Sequence, residues 1–164
     1  MIMEDTIREL IVKELLARAA AIRSGGSPEL YATDCGREVL RCCTDIGSNE
    51  LPCANVVPQD EEAENANGKC RHRMPVIVEG VAIFGSDDPS VVSERILGDL
   101  VRCFTSHAWE RTRPAGSPLL PPYIESIVYQ AGGARLPREG GTVTGATARF
   151  QVTYWTSIGD PCSP

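Results

Sequence analysis

The stretch "MPVIVEGVAIFG", Met74 to Gly85, is the most strand-like part of the chain. Val76, Ile77, Val78, Val81 and Ile83 are β-branched, a type that fits a pleated surface and crowds a helix. The run is almost continuously apolar, the pattern of a strand with neighbours on both sides, which places it centrally in a sheet. Glu79 interrupts it. A glutamate at this point lies on the solvent face or in a pair between subunits, and the solvent face is the reading taken here.

Working outward, "SDDPSVVSERILGDLVRCF" (Ser86–Phe104) reads as a helix. Asp88 is the expected N-cap, and Pro89 stands at the first helical position, where a missing N–H costs nothing. Val92, Ile96, Leu100 and Cys103 form one stripe, broadened by Leu97, Val101 and Phe104. Gly98 is a weak point in helix propensity that would let another backbone approach. His107 suits the C-terminal end of the helix dipole. A Pro-rich loop, "ERTRPAGSPLLPP", follows.

A second helix opens the chain. Thr6 and Glu9 fit a capping box, and Ile7, Leu10, Ile11, Leu15, Ala19 and Ile22 recur at helical spacing. Arg8, Lys13, Glu14 and Arg18 are assigned to its opposite side. "RSGGSP" (Arg23–Pro28) ends it, with Gly25 and Gly26 able to take a left-handed C-cap. "REVLRCCT" (Arg37–Thr44) reads as a strand, in which the adjacent Cys42 and Cys43 would point to opposite faces. Asp45 to Arg73 is polar and reads as a long loop with a short strand at Ala54–Val57. Its acidic residues Asp60, Glu61, Glu62 and Glu64 form a solvated face, or in a sharper reading a partner contact or a rim that repels DNA. In the final third, Ile124–Ala131 alternates, with Ile127 and Tyr129 on one face. Ala148, Phe150, Val152 and Tyr154 alternate with Arg149, Gln151, Thr153 and Trp155. "LPREGGTVTG" between them reads as an extended hairpin arm over Gly132–Gly145. The expected fold is α+β: a mainly antiparallel sheet of about four strands with two helices packed on one face. Tyr154 then belongs to the core and Trp155 faces away, where a neighbouring subunit could bury it.

The 164 residues suit one domain spanning 1–164. Apolar residues at 42% and charged residues at 23% are a globular balance. The net charge of -6 argues against a general nucleic-acid binder, yet suits a protein that DNA slides past. No apolar run is long enough to span a membrane, and the acidic start lacks the basic n-region of a secretory signal. The seven cysteines, Cys35, Cys42, Cys43, Cys53, Cys70, Cys103 and Cys162, are read as reduced thiols in a reducing cytoplasm. Cys53, Cys70 and His72 are a conceivable zinc set, although no C-x2-C pair supports it. There is no G-x-S-x-G, H-E-x-x-H, P-loop or dinucleotide fingerprint, and the Gly132–Gly133 and Gly140–Gly141 pairs lack a phosphate loop's context. The expectation is therefore a protein that is not an enzyme and carries no cofactor.

The chain also resembles the tail terminator (tail completion) proteins of long-tailed bacteriophages. The residues that carry the resemblance run in order: an N-terminal helix leading into "YATDCGREV", the "PVIVEGVAIFG" strand, the "SERILGDLVRCF" helix, "IESIVYQAGGA", and the closing "VTYWTSIGDP" with its V-x-Y-x-T form and nearby Asp-Pro. They cover roughly three quarters of the chain. The 45–73 segment and the cysteine excess depart from the family pattern. The resemblance implies a structural virion protein: a homo-hexameric ring that caps the tail tube protein, stops its polymerisation and offers the surface joining the head–tail connector protein. DNA would pass through the lumen unbound, and the protein would reside in the tail or neck after assembly in the host cytoplasm. Trp155, Asp60, Glu61, Glu62, Arg138 and Glu139 of the arm, and Asp160 of the closing turn are the expected subunit or partner contacts. Three alternatives stay open: another neck ring between portal and tail, a small cytosolic thiol or metal protein, and a generic interaction domain.

Overall fold

The computed structural model describes residues 5–26, 30–105 and 120–164. Two helices, α1 (Ile7–Ala20) and α2 (Pro89–Phe104), pack on one face of a six-stranded sheet. Its strands are β1 (Glu38–Arg41), β2 (Cys53–Pro58), β3 (Glu62–Ala66), β4 (Lys69–Ile83), β5 (Ile124–Arg135) and β6 (Val143–Ser157). The order is β1-β2-β4-β6-β5, with β3 also paired to β4. β1 and β2 are parallel and every other pairing is antiparallel. The expected α+β class holds, with two strands more than the four expected.

β4 is central as its composition requires. Met74, Val76, Val78, Gly80 and Ala82 point to the helices and are buried, while Pro75, Ile77, Glu79 and Val81 alternate onto the other face. Ile11 and Leu15 of α1, Ile96, Leu100 and Phe104 of α2, and Ala148, Phe150, Val152 and Tyr154 of β6 complete the core. α2 approaches β4 closely at Gly80, where an added Cβ would stand 2.3 Å from Ile96 Cγ2. Gly98 does not serve that purpose: it is exposed, with nothing within 4 Å of a Cβ.

The segment Asp45–Arg73 is not a long loop. It holds β2, β3 and the first residues of β4. Asn67 and Gly68, with φ of 53° and 79°, form the tight turn between β3 and β4, the left-handed pair that an Asn-Gly hairpin demands. β2 lies opposite Val76–Val81 and β3 opposite Lys69–Arg73, on one side of β4. Pro75 stands between them. Neither Pro58 nor Pro75 has an N–H to give the ladder, so pairing fails there. One bond, from Gln59 N–H to Pro75 O at 2.8 Å, spans the break, and the chain steps out over residues 59–61.

Other local expectations are corrected by neighbours. Thr6 Oγ1 caps α1 by accepting from Glu9 N–H at 3.1 Å. Glu9 does not complete the box, because its carboxylate receives both guanidinium nitrogens of Arg41 at 2.7 and 2.8 Å. Arg18 is not on the solvent side but fully buried, with Nε donating to Glu14 Oε1 at 3.1 Å. α1 ends at Ala20 with a right-handed Ala21 cap, so left-handed Gly25 belongs to the next turn. β1 stops at Arg41: Cys42 takes a φ of 51°, which removes both cysteines from the strand. β5 runs to Arg135, so Gly132 to Arg135 are sheet residues and the connection is the short segment 136–142. His107 and Pro28 lie outside the described residues.

α2 follows the sequence closely. Asp88 accepts from Ser90 N–H at 2.8 Å, and Pro89 opens the helix. Asp99, buried on α2, holds the segment before β1: it accepts from Ala32 N–H, Thr33 N–H and Thr33 Oγ1, the last at 2.7 Å. The chain end folds back on the start of α1, where Ile7 N–H donates to Pro161 O at 2.9 Å.

Candidate functional site

The helices cover one face of the sheet, and no described helix covers the other. Towards the β5–β6 turn that open face is apolar. Val57, Ile77 and Val81 form its floor together with Glu79, and Ile83 and Leu136, each 57% exposed, stand at its rim with Val143. The segment from Cys43 to Ile46 on one side and Arg135 to Arg138 on the other turn this floor into a groove of about 630 Å³. Asn55 shapes one wall. Its Oδ1 accepts from Cys43 N–H at 3.0 Å, and its Nδ2 donates to Cys43 O at 2.8 Å and to Glu79 Oε2 at 3.2 Å. Arg135 Nη1 lies 3.3 Å from Glu79 Oε1 and ties the other wall to the floor. Glu79 thus faces the open side as expected, but pinned between two strands.

The groove offers contact area and one neutralised ion pair. Its one thiol, Cys43, donates to Asp45 O at 3.3 Å. His72 is elsewhere: its ring stacks on Tyr154 at 4.6 Å and its Nε2 meets Thr156 Oγ1 at 2.9 Å. The zinc set does not form. Cys53 pairs with Val81 and Cys70 with Thr156, at opposite ends of β4, about 35 Å apart at the rise of a strand. Among the described residues no cluster of three or more ligating side chains occurs. None of the seven cysteines is in a disulfide. Burial pushes the Cys35 thiol up to about 11 and those of Cys53 and Cys103 to about 12, so these three are poor nucleophiles. No described helix is long and apolar enough to cross a membrane.

The residues singled out from the sequence do not form one site. Trp155 lies on the open face at the end far from the groove. Its indole N–H donates to Glu125 Oε2 at 2.8 Å, and the Arg71 guanidinium stands 5.6 Å from its ring centre. Arg71 also grips Glu125 directly, holding that carboxyl below its ordinary range. The chain's own residues therefore cover much of Trp155. Glu61 is not a free contact residue. It receives Arg8 Nη1 at 3.0 Å and the Tyr154 hydroxyl, and its Oε1 lies 3.4 Å from His72 Nδ1. It fastens α1 to the sheet. Asp60 and Glu62 remain exposed, as do Arg138 and Glu139 in the β5–β6 turn. Asp160 is exposed, but its Oδ1 accepts from Cys162 N–H at 3.0 Å and closes the terminal turn.

The groove itself was not singled out. The signal available was period two along β4: Ile77, Val81 and Ile83 are large and apolar on the face opposite the core. An apolar set on both faces of a strand, with helices enough for one face, points to a second partner for the other. No protein-family model matches the chain, and no curated protein matches it.

Proposed function

We propose that this chain is a structural virion protein of the tail terminator type, a subunit of a ring that caps a phage tail tube. The observation that carries the proposal is the open sheet face, whose apolar rim of Ile83, Leu136 and Val143 borders a groove with no reactive constellation. A monomer gains nothing from leaving such side chains in water, whereas a ring subunit buries them against the tube or connector that meets that end of the sheet. The ordered resemblance to tail terminators supports the same reading, as does the acidic balance, which leaves passing DNA ungripped. In this role the ring stops tube growth, meets the tube protein on one side and the head–tail connector on the other, and encloses the DNA path.

Light scattering of purified protein, with negative-stain images of the same peak, tests the assembly. A closed ring of about six copies with an open lumen is the expected result. Added to polymerising tube protein, the chain is expected to cap tubes at an end. A protein that neither forms rings nor alters tube length would overturn the proposal, and a ring found between portal and tail would make it a different neck component.

A further inference from the structure

The two side edges of the sheet, β1 and β5, match each other. From this match we infer that copies of this chain join head to tail by pairing β1 of one copy with β5 of the next, giving a sheet continuous around the ring. The inference rests on the ring reading and specifies how the ring closes.

Both edges lie at one level of the sheet. Glu38 is opposite Cys53, which is opposite Val81, and Arg135 is opposite Gly145, which is also opposite Val81. A copy rotated about an axis along the strands therefore meets its neighbour without slipping. β1 runs against β4 and β5 runs with it, so the new pair is antiparallel, the more stable arrangement. In this register Glu38 faces Arg135, Val39 faces Ala134, Leu40 faces Gly133 and Arg41 faces Gly132 of the neighbour. Each pair also shares a face. Glu38 and Leu40 align with Val81 and Glu79 on the open side, as do Arg135 and Gly133, while Val39 and Ala134 align with buried Gly80.

Charge and size agree with that register. Glu38 is exposed, and Arg135, with 69% of its side chain exposed, has free donors beyond its contact with Glu79. Leu40 is half-buried at the sheet edge. Opposite it, Gly133 has nothing within 4 Å of a Cβ and sits in a shallow hollow of about 410 Å³ lined by Ile77, Ala131, Thr147 and Arg149. A leucine from the next copy fills space that no described side chain occupies. Along β5, Ser126 to Ala134 carries no charge and no proline, two devices by which an edge avoids partners. Its irregularities, at Ile124/Ser126 and Tyr129/Ala131, fall outside the regular Gly132–Arg135 stretch that would pair. β3, the other free edge, carries Glu62 and Glu64. Because the contact joins two different surfaces, it builds closed rings rather than two-fold dimers. Five strands span about 24 Å, so six copies close a cylinder about 45 Å across, leaving about 35 Å between opposite side-chain layers.

The test uses the full chain, with mass read by light scattering across a concentration series. Glu38→Arg and Arg135→Glu are each expected to weaken assembly by about tenfold or more through like-charge contact. An equimolar mixture of the two variants is expected to regain ring mass, because each supplies the charge the other needs across every contact. Misfolding cannot produce that rescue. Gly133→Leu is expected to give monomers with native circular dichroism and a cooperative unfolding transition, since a Cβ there meets nothing within the monomer. Rings that form regardless of these changes would overturn the edge pairing and leave the ring reading standing. Wild-type monomers at every concentration, or two-fold dimers, would overturn the edge pairing, and tube capping would then judge the ring reading separately.

Discussion

Replacing Glu61 by alanine is expected to destabilise the fold by about 2–4 kcal/mol, although the residue sits in an acidic run that looks merely solvated. The carboxylate accepts from the hydroxyl of Tyr154, a residue 1% exposed. A hydrogen bond to a charged group contributes about 1.5–3 kcal/mol, and removing its acceptor leaves a buried hydroxyl unsatisfied. The ion pair with Arg8, whose side chains are 35% and 25% exposed, adds about 0.5–1 kcal/mol after screening. For a chain of this length the loss corresponds to a fall in melting temperature of about 5–15 °C. Urea unfolding followed by circular dichroism measures it, with an unchanged m-value showing that stability alone has moved. Glu62→Ala, one residue along and exposed, is the control and is expected to stay within about 0.5 kcal/mol. Tyr154→Phe removes the hydroxyl together with its need for a partner and is expected to cost about 1 kcal/mol. The cycle of the two changes is expected to show a coupling of about 1–2 kcal/mol. A Glu61→Ala protein as stable as wild type, or a cycle with no coupling, would refute the view that this carboxylate locks α1 to the sheet.

Asp99→Ala is expected to cost about 3 kcal/mol, because the carboxylate is the acceptor for three donors of Ala32 and Thr33. Denaturant titration checks it, and a loss under 1 kcal/mol contradicts the assignment. Gly80→Ala places a Cβ 2.3 Å from Ile96 Cγ2 and is expected to destabilise by about 1–3 kcal/mol. Adding Ile96→Leu, which removes the Cγ2 branch at nearly constant volume, should recover part of that loss. A thiol reagent at pH 8 is expected to modify exposed Cys42 quickly, while Cys35, Cys53 and Cys103 react only on unfolding. The same three thiols predict an alkaline limit. Their folded pKa values of about 11 to 12 lie above the ordinary 9.0, so their contribution is whole below pH 9 and is lost as pH rises towards 12. Stability measured from pH 8 to 10.5 is expected to fall, and a flat profile would show that these thiols are not sealed from water.

The helices, the central strand and the alternation of β6 were legible because each is governed by local chemistry. Asp88-Pro89 starts a helix wherever it occurs before an apolar stripe, and Phe150, Val152 and Tyr154 alternate whatever they pack against. The 45–73 segment was not legible, because its polarity is that of an edge. β3 has solvent on one side, so Glu62 and Glu64 carry no apolar period to announce a strand. The Asn67-Gly68 pair is the one hairpin signal there, set within a polar background. Arg18 and Glu61 illustrate a different limit. Their partners, Glu14 and Cys103 for the first, Arg8, His72 and Tyr154 for the second, include residues far along the chain. A charged residue is buried when the fold satisfies it, and sequence position alone does not reveal that.

The same reasoning separates the residues that hold this fold from those free to meet a partner. Trp155, Glu61 and Asp160 attract attention in the sequence, yet each is engaged by the chain's own groups: Glu125 and Arg71, Arg8 and Tyr154, Cys162. The positions left without internal work are plainer. Leu40 stands at one edge of the sheet, Gly133 at the other, and Ile83, Leu136 and Val143 line the open end. None belongs to a recognisable motif, because the proposed edge pairing would need complementary shape and charge rather than a catalytic constellation. Prominent aromatic and charged residues are therefore poor guides to what this chain leaves without an internal partner. The better guide is the inventory of what the monomer leaves uncovered, and here that inventory lies along two opposite edges and one face of a single sheet.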